Sequence, residues 1–89
     1  MDSLSTAKIR ELKTKAQLLK ATLKIGKAGI SSQFLATLDE VLKHHELVKV
    51  KFEEFKGQKK ELAPKLAEKS GSLLVTRVGN VVVLYRPKG

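Results

Sequence analysis

The strongest constraint on the fold lies near the end of the sequence, where two runs of strand-forming residues flank a Gly-Asn pair. Leu73–Val78 and Val81–Tyr85 are rich in Val and Leu, and Gly79-Asn80 separates them. Glycine and asparagine both tolerate the positive φ angles that tight two-residue turns between antiparallel strands require. The segment is therefore predicted to form a β-hairpin.

Upstream of the hairpin, helical and strand patterns alternate. In chain order they predict a helix capped by Ser5 or Thr6 and ending near Leu19, a strand over residues 21–25, a helix capped by Ser31 or Ser32 and ending near His44, a strand over Leu47–Phe52, and a helix near residues 59–69. The order αβαβαββ predicts one α/β (α+β) domain over residues 1–89, with helices on a mixed sheet. Two layers are expected, because so short a chain cannot supply a second complete helical layer.

Pro64 conflicts with the third helix, because a proline inside a helix removes a hydrogen bond and clashes with the preceding turn. A helix that starts near Lys60 or Glu61 would place Pro64 close to the first turn, and this start is predicted. Gly71 is expected to end the helix. Residues 1–4 and 87–89 are expected to be flexible ends.

The net charge of the chain narrows the classes of partner that it can be expected to bind. Eighteen Lys and Arg against nine Asp and Glu give the 89 residues a formal charge of +9, which attracts polyanions such as nucleic acid or an anionic membrane. There is no cysteine, and the longest apolar run, Val81–Tyr85, is far shorter than the ~20 residues that span a bilayer. With no apolar leader at the N-terminus, the expected location is the cytoplasm.

Basic side chains concentrate on two predicted elements. The first helix places Ile9, Leu12, Ala16 and Leu19 on one apolar stripe. The rest of its surface is basic, with Lys8, Arg10, Lys13, Lys15 and Lys20. Since no aromatic residue precedes Phe34, a nucleic-acid contact is favoured over a membrane-surface helix. In Leu47–Phe52, Lys49 and Lys51 alternate with apolar residues, which predicts a strand with one wet, basic face.

The loop Gly26-Lys27-Ala28-Gly29 lies between a predicted strand and a predicted helix N-terminus. Glycines allow close approach of the backbone to a ligand, and helix N-terminal amides favour a phosphate. The alternative is a tight turn with no ligand, which the spacing alone favours because two glycines three residues apart are common. The basic context favours a phosphate-contacting loop, to which Lys27 adds a mobile charge.

Other candidate chemistry is weaker. His44 and His45 point to different faces and have no third ligand at a recognisable spacing, so a structural role is preferred and no metal site is predicted. No catalytic arrangement can be nominated, and neither a cofactor nor a small-molecule substrate is expected. Phe52, Phe55 and Tyr85 could stack on unpaired bases, although Phe52 is expected in the core and Phe55 in an exposed loop.

Three segments together resemble the CRM domain (chloroplast RNA splicing and ribosome maturation), particularly its bacterial stand-alone form, the YhbY-type RNA-binding proteins. They are residues 23–30, containing Gly26-Lys27-Ala28-Gly29, residues 44–51, and residues 75–86. The resemblance implies a four-stranded mixed sheet like that of the C-terminal domain of initiation factor three. It also implies a non-catalytic protein that binds ribosomal RNA in precursors of the large subunit.

The residues expected to contact RNA are Gly26, Lys27, Ala28, Gly29, Lys8, Arg10, Lys13, Lys15, Lys24, Arg77 and Arg86. The rival hypothesis is a protein-interaction module that docks its basic face on an acidic partner. The oligomeric state is left open, with a monomer as the working expectation.

Overall fold

The predicted order of elements is confirmed. The computed structural model describes residues 5–87, with helices α1 (Thr6–Gln17), α2 (Ser32–His44) and α3 (Lys59–Ser70). The strands are β1 (Leu23–Ile25), β2 (Leu47–Phe52), β3 (Leu73–Val78) and β4 (Val81–Tyr85). The side-chain oxygens of Ser5 and Ser31 accept hydrogen bonds from the backbone amides of Lys8 and Phe34, so these two serines start α1 and α2 as their capping chemistry suggests.

The four strands form one mixed sheet in the order β1-β2-β4-β3. β1 is parallel to β2, whereas β4 is antiparallel to both β2 and β3. The predicted hairpin is present, and Gly79, the first residue of its turn, has a φ of +59°. Closing the turn at Gly79 therefore needs a backbone conformation that glycine adopts without a steric penalty.

The sheet is packed on both faces, as the alternation along β4 shows. Val82 and Leu84 belong to a core with α2 and α3, while Val83 and Tyr85 belong to a second, smaller core with α1. The expected two layers are formed by the sheet and the α2–α3 pair, and α1 adds a partial third layer on the opposite face. A single amphipathic helix is enough for that face because the apolar residues there are few.

The way α1 packs on the sheet differs from the sequence-based prediction in two details. The helix ends at Gln17, and Leu19 lies beyond it with 40% of its surface exposed, so Leu19 does not extend the buried stripe. The predicted wet face of β2 is exposed at Lys51 but not at Lys49. The Lys49 Nζ donates to the carbonyl oxygens of Ala16 at 3.0 Å and Leu19 at 2.9 Å, and so caps the C-terminal end of α1.

The third helix begins within one residue of its predicted start, but Pro64 is not kept close to the first turn as expected. A 3-10 turn over Lys56–Gln58 leads directly into α3, which begins at Lys59, so Pro64 lies inside the helix. Proline has no amide hydrogen, so one helical hydrogen bond is missing at this position. Because Pro64 is exposed, the missing bond is on the solvent side of α3 rather than in the core. Gly71 ends α3 with a φ of +66°, as predicted.

Of the residues expected to be flexible ends, 1–4 and 88–89 lie outside the described part of the chain, and Pro87 is exposed. Within residues 5–87, no helix has the length and hydropathy needed to cross a membrane.

Candidate nucleic-acid interface

Three connections meet at one end of the sheet. Because β1 and β2 are parallel and β4 runs against them, residues 26–29, 53–58 and 79–80 all lie where β1 and β2 end. Backbone hydrogen bonds join these connections: the Phe52 amide donates to the Asn80 carbonyl at 2.7 Å, and the Glu53 amide donates to the Ile25 carbonyl at 3.0 Å. We call this region the loop end of the sheet.

The Gly26–Gly29 segment forms a closed turn that leads into α2. The Gly29 amide donates to the Gly26 carbonyl at 3.0 Å. In the described part of the chain, the amides of Lys27 and Ala28 and the ammonium of Lys27 have no hydrogen-bond or ion-pair partner. The turn therefore offers unpaired donors beside a helix N-terminus, which is the arrangement that suits a phosphate.

The two glycines of this turn differ in what requires them. Gly29 has a φ of +68°, and a Cβ placed on it would lie 3.3 Å from the Cε2 atom of Phe55. Gly26 has no positive φ, and a Cβ there would meet nothing within 4 Å. The fold thus favours a glycine at position 29 but gives no such reason for one at position 26, and the space around Gly26 is open to a ligand.

A groove lies between this turn and α3. Gly29, Ile30 and Phe55 form one side of it, and Leu62, Lys65 and Lys69 of α3 form the other, around about 540 Å³. Sequence reasoning placed no functional residue on α3. The available signal was the spacing of Lys65 and Lys69, which at i and i+4 share one helix face.

Phe55 is the exposed aromatic residue of the loop end. The residue is 41% exposed, and its φ of +59° makes it the only non-glycine residue among residues 5–87 with a left-handed backbone. This conformation costs on the order of 1 kcal/mol for a residue with a Cβ. The predictions of an exposed Phe55 and a buried Phe52 are both confirmed.

The basic residues of α1 lie on the other face of the sheet from α2 and α3. Lys8 and Lys15 each lie 3.5 Å from Glu11, and these two lysines lower the pKa of the Glu11 carboxyl. Lys8 also stands 5.5 Å from the centroid of the Tyr85 ring. Arg10 and Lys13 are exposed and have no such partner in the described chain. The structure therefore does not unite these residues with the Gly26–Gly29 turn.

Two further candidates lie on the strands near the loop end. Lys24 pairs in register with Lys51 of the neighbouring strand, and its Nζ lies 3.6 Å from Glu53. Arg77 pairs in register with Val82 and is half-buried. Both are close to the loop end, but Lys24 is partly neutralised by its acidic neighbour.

Arg86 does not extend the basic surface as the sequence analysis expected. One guanidinium nitrogen donates to Asp39 Oδ1 and to the Ser70 carbonyl, both at 2.9 Å, and the other donates to the Asp39 carbonyl at 3.0 Å. These bonds hold the pKa of the Asp39 carboxyl below its ordinary value, with Lys43 adding to the effect. Arg86 is therefore a structural residue that ties the end of β4 to α2 and α3.

The His44-His45 pair is at the opposite end of the sheet from the Gly26–Gly29 turn. The His44 Nδ1 lies 3.2 Å from the Glu40 carbonyl, within the last turn of α2. Across residues 5–87, no group of three or more His, Cys, Asp or Glu side chains is arranged to hold a metal ion.

Comparison with known proteins gives a consistent result. A family model for the CRS1 / YhbY (CRM) domain matches residues 4–86. The chain is 33% identical over 88 residues to an RNA-binding protein of Haemophilus influenzae, covering 98% of this chain and 89% of that protein. It is also 33% identical over 78 residues to a Bacillus subtilis protein named "Probable RNA-binding protein YqeI", covering 86% and 81%. The solution structure of a Staphylococcus aureus protein matches with a TM-score of 0.83 and 33% identity, over 98% of this chain and 92% of that one.

Proposed function

The chain belongs to the CRS1 / YhbY (CRM) domain family, and from that premise we propose that it is a non-catalytic RNA-binding module. The two sequence relatives described above carry RNA binding in their names. A formal charge of +9 supplies the long-range attraction that such a module needs. In this proposal the Gly26–Gly29 turn contacts the phosphate backbone and does not read bases.

The observation that carries the proposal is the set of hydrogen-bond donors in the turn that have no partner. Lys27 is exposed, has no acidic partner within the described chain, and stands beside the free amides of the turn, its own and that of Ala28, which precede α2. Gly26 leaves open space where any other residue would place a Cβ. A phosphate oxygen can approach the backbone there and accept from the amides while Lys27 neutralises its charge.

The finer proposal is that the target is ribosomal RNA in a precursor of the large subunit, bound in the cytoplasm during ribosome assembly. Its support is the family resemblance together with the scarcity of exposed aromatic rings. Aromatic residues make up 4% of the chain, and among them Phe52 and Tyr85 are buried. Affinity then comes mainly from phosphate contacts, which favour the shape of a folded RNA over its base sequence.

The test is RNA binding across a salt series, with Lys27→Glu compared with Lys20→Glu. Both substitutions change the charge equally, but Lys20 precedes β1 and so lies away from the loop end. The protein is expected to bind structured RNA with an affinity that falls steeply as salt rises. Lys27→Glu should weaken binding several-fold more than Lys20→Glu, with the thermal midpoint of both variants close to that of the parent.

Other outcomes would contradict the proposal. Absence of RNA retention at low salt would favour the rival interpretation, in which the basic face docks on an acidic protein. A large drop in the thermal midpoint of Lys27→Glu would mean that the turn is structural. Replacing His44 and His45 by Gln should leave RNA binding unchanged, and a loss would call for a role that the present proposal does not contain.

A further inference from the structure

We propose that the groove between the Gly26–Gly29 turn and α3 holds one unpaired nucleotide, with its base stacked on the Phe55 ring. This inference rests on the proposed RNA binding and adds a base-contacting position to a surface otherwise assigned to phosphates. Apart from Gly29, which belongs to both, the groove is lined by different residues from the turn, so the two can be separated experimentally.

Phe55 has the properties of a ring held in place for contact. Its left-handed backbone is unfavourable for a residue with a Cβ, and it lies in a connection whose other residues are polar or charged apart from Gly57. One part of the ring contacts Gly29, where a Cβ would lie only 3.3 Å from Cε2. Phe55 as a residue nevertheless remains 41% exposed and lines the groove, so part of its side chain is accessible to a ligand.

The rest of the groove suits a base with a phosphate attached. Ile30 and Leu62 are half-buried and supply apolar surface beside the ring. Lys65 and Lys69 outnumber Glu61, so the groove has a net positive charge. Its volume of about 540 Å³ lies within the range of about 300–1,000 Å³ that is typical of small-ligand sites.

The groove is continuous with the phosphate-contacting turn. Gly29 lines the groove and also ends the turn, and Lys27 is two residues away, which places their Cα atoms at most about 7 Å apart. A strand whose phosphate lies on Lys27 can therefore direct a neighbouring base toward Phe55. Stacking on an aromatic ring tolerates any base, because every base has a π face.

An acidic peptide is the other occupant considered, and the groove fits it less well. Glu61 lies inside the groove and would repel carboxylates. A stacked base presents no charge to Glu61, while its attached phosphate can lie on the lysine side. The chemistry therefore favours a nucleotide.

The absence of tryptophan from the chain allows a direct test. Phe55→Trp introduces a single tryptophan at the proposed contact, whose emission can be excited selectively at wavelengths where tyrosine does not absorb, and Leu18→Trp is its control. Leu18 is 87% exposed and lies near His44, away from the loop end. Single-stranded oligoadenylate, duplex RNA of the same length, and inorganic polyphosphate are the three probes.

Oligoadenylate is expected to quench the emission of Phe55→Trp saturably, and to leave the emission of Leu18→Trp unchanged. Polyphosphate should bind without quenching, since it has no base. In parallel, Phe55→Leu, which keeps an apolar side chain but removes the ring, should weaken binding of oligoadenylate roughly tenfold and leave binding of duplex RNA unchanged.

The inference is overturned if Phe55→Leu binds oligoadenylate as the parent does, or if Phe55→Trp is not quenched when retention assays show that RNA is bound. Equal quenching by polyphosphate would also overturn it, since the signal would then report charge rather than stacking. In each of these cases RNA binding itself stands. If the parent protein retains none of the RNA probes at low salt, the proposed function fails and this inference fails with it. Should Phe55→Leu lower the thermal midpoint strongly, the fluorescence result decides.

Discussion

At the residue scale, the two glycines of the Gly26–Gly29 turn have different reasons to be glycine. At Gly29 the reason is in the fold, because the backbone is left-handed and the Phe55 ring lies against it. At Gly26 the fold contains no such reason. A sequence motif with two glycines therefore combines one structural position with one position whose space is free for a ligand.

Substituting each glycine by alanine should separate these roles. Gly29→Ala is expected to lower the free energy of unfolding by about 1 kcal/mol or more. A left-handed backbone is unfavourable for alanine, and its Cβ would lie close to the Phe55 ring. Gly26→Ala should leave stability equal or slightly higher, since the unfolded chain loses freedom, yet weaken RNA binding. Thermal unfolding and RNA retention measure the two effects.

A Gly26→Ala variant that binds RNA as tightly as the parent would contradict close approach of the phosphate at this position. A Gly29→Ala variant with unchanged stability would contradict the structural role of Gly29. Since the two substitutions add the same methyl group, each serves as the control for the other.

At the scale of elements, Arg86 joins parts of the chain that are far apart in sequence. It follows β4, bonds to Asp39 in α2 and to the last carbonyl of α3 at Ser70, and its own amide donates to the Glu46 carbonyl at 2.9 Å. The Arg86–Asp39 ion pair spans 2.9 Å, and the arginine side chain is 23% exposed. The contact fixes how the end of the sheet is attached to its two covering helices.

Asp39→Asn should therefore weaken the fold in a pH-dependent way. The pKa of Asp39 is lowered in the folded state, first by the Arg86 hydrogen bond and then by that of Lys43. A lowered pKa means that the charged carboxylate stabilises the fold above the ordinary value of 3.8 and that this contribution is lost as pH falls through the folded-state value. The thermal midpoint of the variant is expected to be lower than the parent's at pH 7 and equal to it in strong acid.

Glu40→Gln is the matched control, because Glu40 is one residue away on α2 and pairs with Lys43 but not with Arg86. It should change the midpoint less than Asp39→Asn at pH 7. A difference between Asp39→Asn and the parent that grows toward acid would mean that the sign of the linkage is wrong.

At the scale of the whole molecule, the fold divides the basic residues between two sides of the sheet. Arg10 and Lys13 of α1 lie on one side, and Lys65 and Lys69 of α3 lie on the other, with the groove and the Gly26–Gly29 turn. Both pairs contribute to the long-range field of the protein. The α3 pair is in addition continuous with the proposed contact surface.

Reversing each pair tests this division at equal charge. The double variant Lys65→Glu with Lys69→Glu and the double variant Arg10→Glu with Lys13→Glu each change the net charge by −4, two per residue. The α3 variant is expected to bind RNA roughly tenfold more weakly than the α1 variant at moderate salt. Both variants lose long-range electrostatic attraction, but only the α3 variant also loses direct contacts with RNA. Equal losses, or a larger loss from α1, would indicate that RNA also contacts the α1 face. Circular dichroism confirms that both variants are folded.

The sequence by itself determined the elements and the turn. Local periodicity and turn chemistry are sufficient to predict the features that depend only on neighbouring residues. These features are the bounds of β2 and β4, the serine caps, the end of α3 at Gly71 and the Gly79-Asn80 turn. The exposed Phe55 and buried Phe52 follow from the same local pattern.

Only the tertiary structure decided which surfaces these elements share. Lys49 caps a helix that ends 32 residues earlier, and Arg86 bonds to Asp39, 47 residues away in sequence. The local sequence pattern predicts an exposed basic residue at both Lys49 and Arg86. The groove likewise joins Phe55 to Lys65 and Lys69 only because α3 packs beside the Gly26–Gly29 turn. These pairings depend on the relative placement of elements across the sheet, which is set by the packing of two cores and has no local signature in the sequence.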